Sequence, residues 1–359
     1  MPTTFIQDNV ARPLAFKIAN IEDNTFPAVD HRVPDQQITL QTRADYHRHT
    51  LLGINVFALE IFKQFRTELG LYDDDPMMRP SLNTANGVDT AIEFSSKVMA
   101  KTMTADVKIL SVTKSAGRIK VDVQVTNKAG HSFPSGVGFR RAFLNLRIVD
   151  KDGQIVWASG NVAPDNNALA LKGMIVDGDG RPLVTEAFTA GQERFQQHRW
   201  VNNPITREDE VEIYEELVTN PEGFLTTSFV ALDRKVKDNR LQPQGWSSTG
   251  PQAQETGPVG TCVEKSGAQL CDPDYQNGSG SNVVRYLIPL SRRRSPGTTV
   301  HATLYYQAIP PYYQLQRKTD AAGIDTDRLI RFTENLNVAG TPVDSWVLPI
   351  AADRAEISQ

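Results

Sequence analysis

The segment from Val121 to Arg141 constrains the fold more than any other part of the chain. Its first half alternates apolar and polar residues as far as Thr126, the two-residue period with which a strand buries one face. Its second half carries glycine or proline at positions 130, 134, 136 and 138, so the backbone has to turn repeatedly. His131 lies among these turns, and Arg140 and Arg141 begin the next apolar segment. The sequence therefore predicts a rigid loop between two strands that presents a histidine and two guanidinium groups at one rim of a sheet.

Similar alternation continues along the chain after residue 105. We predict strands over residues 106–113, 118–126, 141–150, 154–159, 210–217, 226–232, 283–290 and 299–308. Ser-Ala-Gly and Lys-Asp-Gly turns join the first two pairs, which is typical of a mostly antiparallel sandwich. Residues 161–208 and 234–282 are long for connections in a compact domain, which indicates a functional or partner-covering role.

The part before residue 105 predicts helices. Residues 1–42 are rich in Pro, Asn and Asp and lack periodicity, so we expect an extended arm. Apolar residues recur at helical spacing over residues 51–69, where Gly70 is a stop signal, and again over 88–103; residues 326–336 are a short helix candidate before a final extended segment. The predicted fold class is mainly β with helices (α+β): an arm and two helices over residues 1–104, packed on a large antiparallel β-sandwich over residues 105–359.

Composition and charge exclude several classes of protein. The 359 residues carry a formal net charge of −4, which gives no electrostatic reason to expect a nucleic acid or an anionic membrane as partner. The longest apolar run, residues 51–62, contains Asn55 and Glu60 and is shorter than the ~20 residues that cross a bilayer. We therefore expect no transmembrane segment. The first residues also lack the basic flank and apolar stretch of a signal peptide.

The two cysteines lie close together. Cys262 and Cys271 enclose eight residues in a loop rich in Gly, Ser and Asp, and this spacing predicts a disulfide that closes a small ring. The alternative is a pair of free thiols in a reducing compartment. A zinc site is less favoured, because two thiolates supply half of the usual ligands and no histidine is near in sequence.

A longer string carries a resemblance. NKAGHSFPSGVGFRRAFLNLRIVDKDGQIVWASG resembles a segment near the C-terminal end of certain multihaem c-type cytochromes, which has an N-x-x-G-H-x-F-P-T-G element followed by R-R. The strings YHRHTLLGINVF, VEIYEEL, VKDNRLQPQGW and DPDYQNGSGSNVVRYLIPL are also similar to that family, so the resemblance spans roughly residues 30–310. The chain departs from the family in one respect: it has no C-x-x-C-H motif, so it cannot attach haem covalently in the c-type manner.

The resemblance implies a role in electron transfer. A c-type haem takes one axial histidine from its own attachment motif, while the second imidazole can come from anywhere in the fold. His49 and His131 match the family's H-x-x-x-G-x-N and G-H-x-F-P elements, and His47 is a weaker candidate ligand. Arg140 and Arg141 would pair with haem propionates. The chain would then be a haem-free portion or subunit that shapes and ligates haem c carried by an upstream segment or a partner subunit.

The resemblance also bears on location and on the chain start. In the family, a haem motif is often followed by Met-Pro, so Met1-Pro2 would follow an upstream haem motif; the alternative is an ordinary start codon. Together with the cysteine pair, the resemblance implies a periplasmic or extracellular protein that could form an oligomer.

Other interpretations stay open. The rival is a haem-free β-sandwich module that binds a protein partner, and a third is a hydrolase or metal enzyme that uses His131 with nearby Asp residues. His131 could also serve only to hydrogen-bond its own turn. We expect His198 and His301 to be structural, His31 to be a weaker ligand than His47, the loop at Asp177 to be a turn rather than a calcium site, and Lys237-Asp-Asn-Arg240 to anchor a loop. No paired-carboxylate or Cys-His arrangement points to an enzyme.

Overall fold

The computed structural model describes residues 4–7, 10–13, 15–17, 39–44, 52–71, 87–115, 117–186, 194–276, 278–289, 297–320 and 322–357. The chain forms two compact units, residues 1–52 and residues 53–359. The predicted boundary at residue 104 falls within the larger unit. In the smaller unit, strand β1 (Thr4–Gln7) pairs antiparallel with β2 (Val10–Pro13), and β3 (Phe16–Lys17) pairs with β4 (Thr42–Arg43).

Helices open the larger unit, as the periodicity predicts. Helix α1 (Val56–Gln64) begins where the side chain of Asn55 accepts a hydrogen bond from the amide of Ala58 at 3.1 Å. It buries its apolar side, and turns follow it as far as Gly70, which has a φ of +71°. Helix α2 (Gly87–Glu93) continues as a π-helix over Phe94–Thr104. The remaining helices are α3 (Ala253–Thr256), α4 (Pro311–Asp320) and α5 (Ile324–Asn335), with 3-10 turns at Val184–Glu186 and Pro273–Tyr275.

The rest of the larger unit is mainly antiparallel β-structure. Its strands are β5 (Ala105–Ser115), β6 (Arg118–Asn127), β7 (Arg141–Asp150), β8 (Ile155–Ser159), β9 (Asn161–Val162), β10 (Ile175–Val176), β11 (Ile213–Thr219), β12 (Leu225–Thr226), β13 (Arg234–Asp238), β14 (Cys262–Lys265), β15 (Ala268–Cys271), β16 (Ser281–Pro289), β17 (Gly297–Gln307) and β18 (Leu348–Glu356). One sheet has seven strands in the order β12-β11-β7-β17-β18, with β13 on β11 and β8 on β7. A second has three strands in the order β16-β6-β5. Ribbons β9-β10 and β14-β15 complete the set among the described residues.

The core follows from the two-residue period. Alternate residues of β7 and β6, among them Leu144, Leu146, Val121 and Val123, have no exposed surface. The two larger sheets contact each other where Trp157 of β8 meets Tyr286 of β16 edge-to-face, with ring centroids 6.1 Å apart. Mainly β structure with helices is confirmed. The single large sandwich is not confirmed, because the described strands divide into a seven-stranded sheet, a three-stranded sheet and small ribbons.

The long connections cover part of the outer face of the seven-stranded sheet, which is the face that carries Phe143. Buried apolar side chains from the sheet and from the long connections form a second, smaller core there: Phe143, Ile175, Leu183, Val211, Ile213 and Val347. Beyond this core the outer face is mixed: Asn145, Arg147 and Thr303 are polar, and Val149 and Ala352 are apolar.

Most predicted elements are confirmed, and one strand is wrong. Residues 226–232 were predicted as a strand, but only Leu225–Thr226 pairs, and the chain then turns away with Phe229 and Val230 exposed. Helix α4 was not predicted. Within the described residues, no helix is both long enough and apolar enough to span a bilayer.

Candidate functional site

The loop between β6 and β7 is fixed at its base by one asparagine. The side-chain nitrogen of Asn127 donates to the carbonyl oxygens of His131 at 2.8 Å, Leu241 at 3.0 Å and Gln242 at 3.3 Å. Its side-chain oxygen accepts from the amide of Ala129 at 2.8 Å. Asn127 is buried, so these bonds join the loop to the segment after β13 without competition from water.

The second half of the loop is held by backbone pairing. Phe133 and Leu241 exchange two backbone hydrogen bonds, at 2.9 and 2.8 Å, and the Phe133–Pro134 peptide bond is cis. Gly136 has a φ of +89°, a conformation that favours glycine. An added Cβ there would lie 2.6 Å from the Arg140 Nη1 atom. The glycines and proline of the motif therefore serve to shape a rigid loop.

His131 is presented on the surface of this loop. His131 is an exposed residue, and its Nδ1 atom lies 3.0 Å from the carbonyl oxygen of Ser132. Because a carbonyl oxygen only accepts, this contact favours the tautomer that carries the proton on Nδ1. The Nε2 atom then keeps its lone pair, and it makes no hydrogen bond to any residue that the structure describes. That arrangement suits a metal-binding imidazole, whose second nitrogen usually donates to a carbonyl or carboxylate.

The two consecutive arginines have opposite environments. Arg141 is completely buried: Nη1 and Nη2 donate to the two carboxylate oxygens of Glu186 at 2.7 and 3.0 Å, and Nε donates to Gln307 at 2.8 Å. Burial by itself lowers the pKa of Arg141, but the Glu186 carboxylate outweighs this effect and raises it. A propionate would have to displace Glu186, so the predicted role of Arg141 in haem binding does not fit this arrangement.

Arg140 has no comparable partner. Its Nη1 atom donates to the carbonyl oxygen of Ser135 at 3.3 Å, and its guanidinium lies beside the hydroxyl of Tyr306. No carboxylate pairs with Arg140 among the described residues. Of the two arginines, Arg140 is therefore the one with capacity for an external anion.

Below the loop lies a buried charged group that the sequence did not reveal. His198 donates through Nδ1 to Glu212 at 2.9 Å and through Nε2 to Asp272 at 2.8 Å, and none of the three side chains is more than 1% exposed. Burial alone lowers the pKa of His198, but the two carboxylates raise it to about 9. Asn239 donates to the same Glu212 oxygen at 2.7 Å. The imidazolium is thus sealed inside the protein, which confirms the prediction that His198 is structural.

Several of the strings that carry the resemblance in the sequence meet around the His198 group. Lys237 donates to Glu215 at 2.8 Å in full burial, and Arg240 holds Asp238 through two hydrogen bonds of 2.7 Å. These pairs confirm that Lys237 to Arg240 anchor a loop. VEIYEEL, VKDNR, DPDY and the first residues of NKAGHSF therefore build one polar network that supports the His131 loop. The charged residues in these separate strings were the one local feature of the sequence that could have indicated a shared polar network.

The end of the loop reaches an exposed group of aromatic and apolar residues. Phe139 stacks on Tyr313 with ring centroids 3.9 Å apart and lies 6.5 Å from Phe229. Phe229 is 63% exposed and Val230 is 99% exposed. We call these four residues the aromatic face.

Comparison with known proteins does not identify a family for this chain. No family model and no curated protein matches the chain. Among solved structures, a penta-heme cytochrome c552 from Thermochromatium tepidum is similar over 78% of this chain, with 13% identity and a TM-score of 0.34. The alignment covers 46% of that cytochrome, so this chain spans less than half of its length. The likeness does not place the chain in a family.

The structure describes some of the other predicted residues and not others. His31, His47 and His49 lie outside the described residues, so their predicted roles stay predictions. Cys262 and Cys271 form a disulfide with an S–S distance of 1.97 Å, as predicted. The Asp177 carboxylate accepts from the amides of Asp179 and Arg181 at 2.9 Å, which is a turn as predicted. Among the described residues, no group of three or more His, Cys, Asp or Glu side chains is arranged so that it could hold a metal ion.

Proposed function

We propose that this chain is a haem-free portion or subunit of a multihaem c-type cytochrome-like electron-transfer protein. In this proposal, His131 supplies the second axial ligand to a haem that is carried by an upstream segment or a partner subunit. The observation that carries the proposal is the exposed imidazole of His131, whose Nδ1 is engaged by Ser132 while Nε2 stays open.

The chemistry of the donor fits a haem iron. A haem c supplies one-electron redox chemistry, and its iron accepts a neutral imidazole nitrogen as axial ligand. The carbonyl of Ser132 favours the required tautomer of His131 and increases the basicity of Nε2. Because Asn127 and Leu241 hold the loop from inside, little conformational entropy would be lost when the ligand binds.

Arg140 fits the same proposal. It follows His131 on the same loop, and its guanidinium lacks a carboxylate among the described residues. A haem propionate would pair with it through charge-assisted hydrogen bonds. Arg141 is left out, because Glu186 and Gln307 occupy its donors.

The aromatic face fits a covering partner. Phe139 ends the same loop, and Phe229 and Val230 expose large apolar surfaces beside it. Contiguous apolar surface of this kind typically marks an interaction site. A haem-bearing partner that covered this face would exclude water from the ligand at His131. The disulfide supports a periplasmic or extracellular location, where such bonds persist.

The experiment uses a haem c peptide that has one histidine ligand and one open axial position. The purified chain is titrated into the peptide, and the visible spectrum is followed from the high-spin to the low-spin form. We expect the wild type to form the low-spin species and His131→Ala to lose it. His301→Ala is the matched control and should behave as wild type. If His131→Ala and wild type gave the same low-spin titration, or if the wild type gave none, the ligand role would be wrong.

A second candidate function is a protein-binding module without any haem ligation. The exposure of Phe229 and Val230 favours it, because a module of this kind needs only an apolar face. The two candidates differ in one test. For the assembly module, Phe229→Ser with Val230→Ser would abolish binding of a haem-bearing partner subunit, whereas His131→Ala would leave both the binding and the haem spectrum unchanged.

A further inference from the structure

A groove lies on the outer face of the seven-stranded sheet, away from the residues of the His131 loop. Its floor is formed by Asn145 and Arg147 of β7 and Tyr305 of β17, and its walls by residues 160–180 and 341–349. Its volume is about 790 Å³, which is within the range of small-molecule sites in proteins.

Arg147 is the unusual residue of this groove. Its Nε atom is buried and has no hydrogen-bond partner, and the described residues supply no carboxylate to its guanidinium. Three other buried or partly buried cations of the same unit are paired: Arg141 with Glu186, Lys237 with Glu215 and Arg285 with Asp122. A half-buried guanidinium without an anion is a costly arrangement unless a ligand supplies the anion.

Arg147 is the first of three cationic or basic side chains in one row across the sheet. His301 of β17 is directly opposite Arg147, and Arg354 of β18 is directly opposite His301. Because neighbouring strands are about 4.8 Å apart, the row extends roughly 10 Å. Burial lowers the pKa of His301, and the positive charges of Arg354 and Arg147 lower it further. The three groups therefore create one region of positive potential.

One carboxylate, Glu208, lies beside this row: its Oε1 atom accepts from the amide of Ala158, which is directly opposite Arg147, and it contacts Gly178 in the groove wall. Asp177 lines a wall, where its carboxylate accepts two backbone hydrogen bonds within its own turn. Asp344 lines the opposite wall. Glu356 pairs with Thr299, one row beyond His301 on the same face of the sheet. The carboxylates of Asp177, Asp344 and Glu356 form no ion pair with Arg147 or Arg354 in the described part of the chain.

We propose that this groove binds a small organic anion, whose carboxylate or phosphate group is held by Arg147 and reaches toward Arg354. Arg147 supplies a planar guanidinium that matches either group through two hydrogen bonds. The proposal is independent of haem ligation, since neither His131 nor Arg140 lines the groove.

The test uses citrate and inorganic phosphate as probes at constant ionic strength, with the imidazole resonances followed by NMR. The His301 resonance is assigned from its loss in His301→Gln. We expect a saturable shift of this resonance with citrate, and with phosphate if the site accepts that group too. In Arg147→Gln the affinity should fall about tenfold or more, as for the loss of a charge-assisted hydrogen bond. Arg234→Gln, which removes an exposed charge on β13, is the matched control and should bind as wild type.

Two results would overturn the proposal. One is the absence of a saturable shift with either probe. The other is an equal shift in wild type and Arg147→Gln, which would indicate general screening of charge. If Arg147→Gln did not fold, Arg354→Gln would decide: severalfold weaker binding supports the site, and unchanged binding excludes it.

Discussion

Asp272 accepts a hydrogen bond from the Nε2 atom of His198 at 2.8 Å, although 74 residues separate them in the chain. Asp272 directly follows Cys271, so the disulfide hairpin ends at the residue that completes the buried His198 group. On the other side, Glu212 accepts from the Nδ1 atom of His198, and its backbone carbonyl oxygen accepts from the amide of Leu144 in β7. This pair thus joins the exposed hairpin to the interior that supports the His131 loop.

We predict that Asp272→Asn destabilises the protein strongly. The substitution leaves one N–H of the buried His198 imidazolium without its anion, and breaking a buried ion pair costs about 3–5 kcal/mol. Urea unfolding measures the loss. Asp165→Asn is the matched control, because Asp165 pairs with Lys172 at the surface and should lose less than about 1 kcal/mol. Equal losses in the two variants would contradict the prediction.

The stability should also fall as the pH rises. His198 has a pKa of about 9 in the folded protein against 6.5 in the unfolded chain, so the folded state binds the proton more tightly. Its contribution is complete below pH 6.5 and is lost as the pH rises through about 9. The difference corresponds to about 3 kcal/mol. Unfolding curves between pH 6 and 10 check this, and His198→Gln should remove the dependence in this window. A wild-type curve that is flat over the same range would show that His198 is not protonated in the fold.

Local patterns in the sequence were enough to predict much of the β-structure. Strands β5 and β6 alternate apolar and polar residues over most of their length, and the turns after β5 and β7 carry Gly, whereas β7 itself is buried on both faces. The prediction of a strand over residues 226–232 failed, because this apolar run is not used for strand pairing beyond Thr226. There, the amide of Thr227 donates to Gln316 and its carbonyl accepts from Arg317, both on α4. A strand cannot continue when a helix takes its backbone hydrogen bonds, and a single sequence does not show such tertiary competition.

The candidate site was predictable only in part. The turn residues around His131 predicted a rigid, presented loop, and that is the local structure. The two arginines could have been distinguished, since consecutive residues at the start of a strand point to opposite faces. The His198 group could not have been predicted, because residues 198, 212 and 272 come together only through the fold. Helix α4 did have an unused signal, Pro311 at its first position.

Gly160 should be sensitive to a single methyl group. It has a φ of +71°, and an added Cβ would lie 2.6 Å from the carbonyl oxygen of Leu144, a backbone atom that cannot move aside freely. Gly267 has a φ of +76° but open space around its Cα, so it controls for the backbone conformation alone. We expect Gly160→Ala to lose about 1–3 kcal/mol more than Gly267→Ala in urea unfolding, as for overpacking of a core. Equal losses would mean that the contact with Leu144 relaxes without cost.

The disulfide should stabilise the protein partly through Asp272. Closing a ring of about ten residues is worth about 3 kcal/mol through the entropy of the unfolded chain. In the folded protein, the same bond also holds the hairpin that ends at Asp272, so the two effects should be coupled. We expect Cys262→Ser with Cys271→Ser and Asp272→Asn to be non-additive: once the hairpin is released, Asp272→Asn should cost at least about 0.5 kcal/mol less than in the oxidised protein. A double-mutant cycle in urea measures this, and Cys262→Ser with Cys271→Ser combined with Asp165→Asn should be additive. Additivity of both cycles would show that the hairpin and the His198 group are energetically independent.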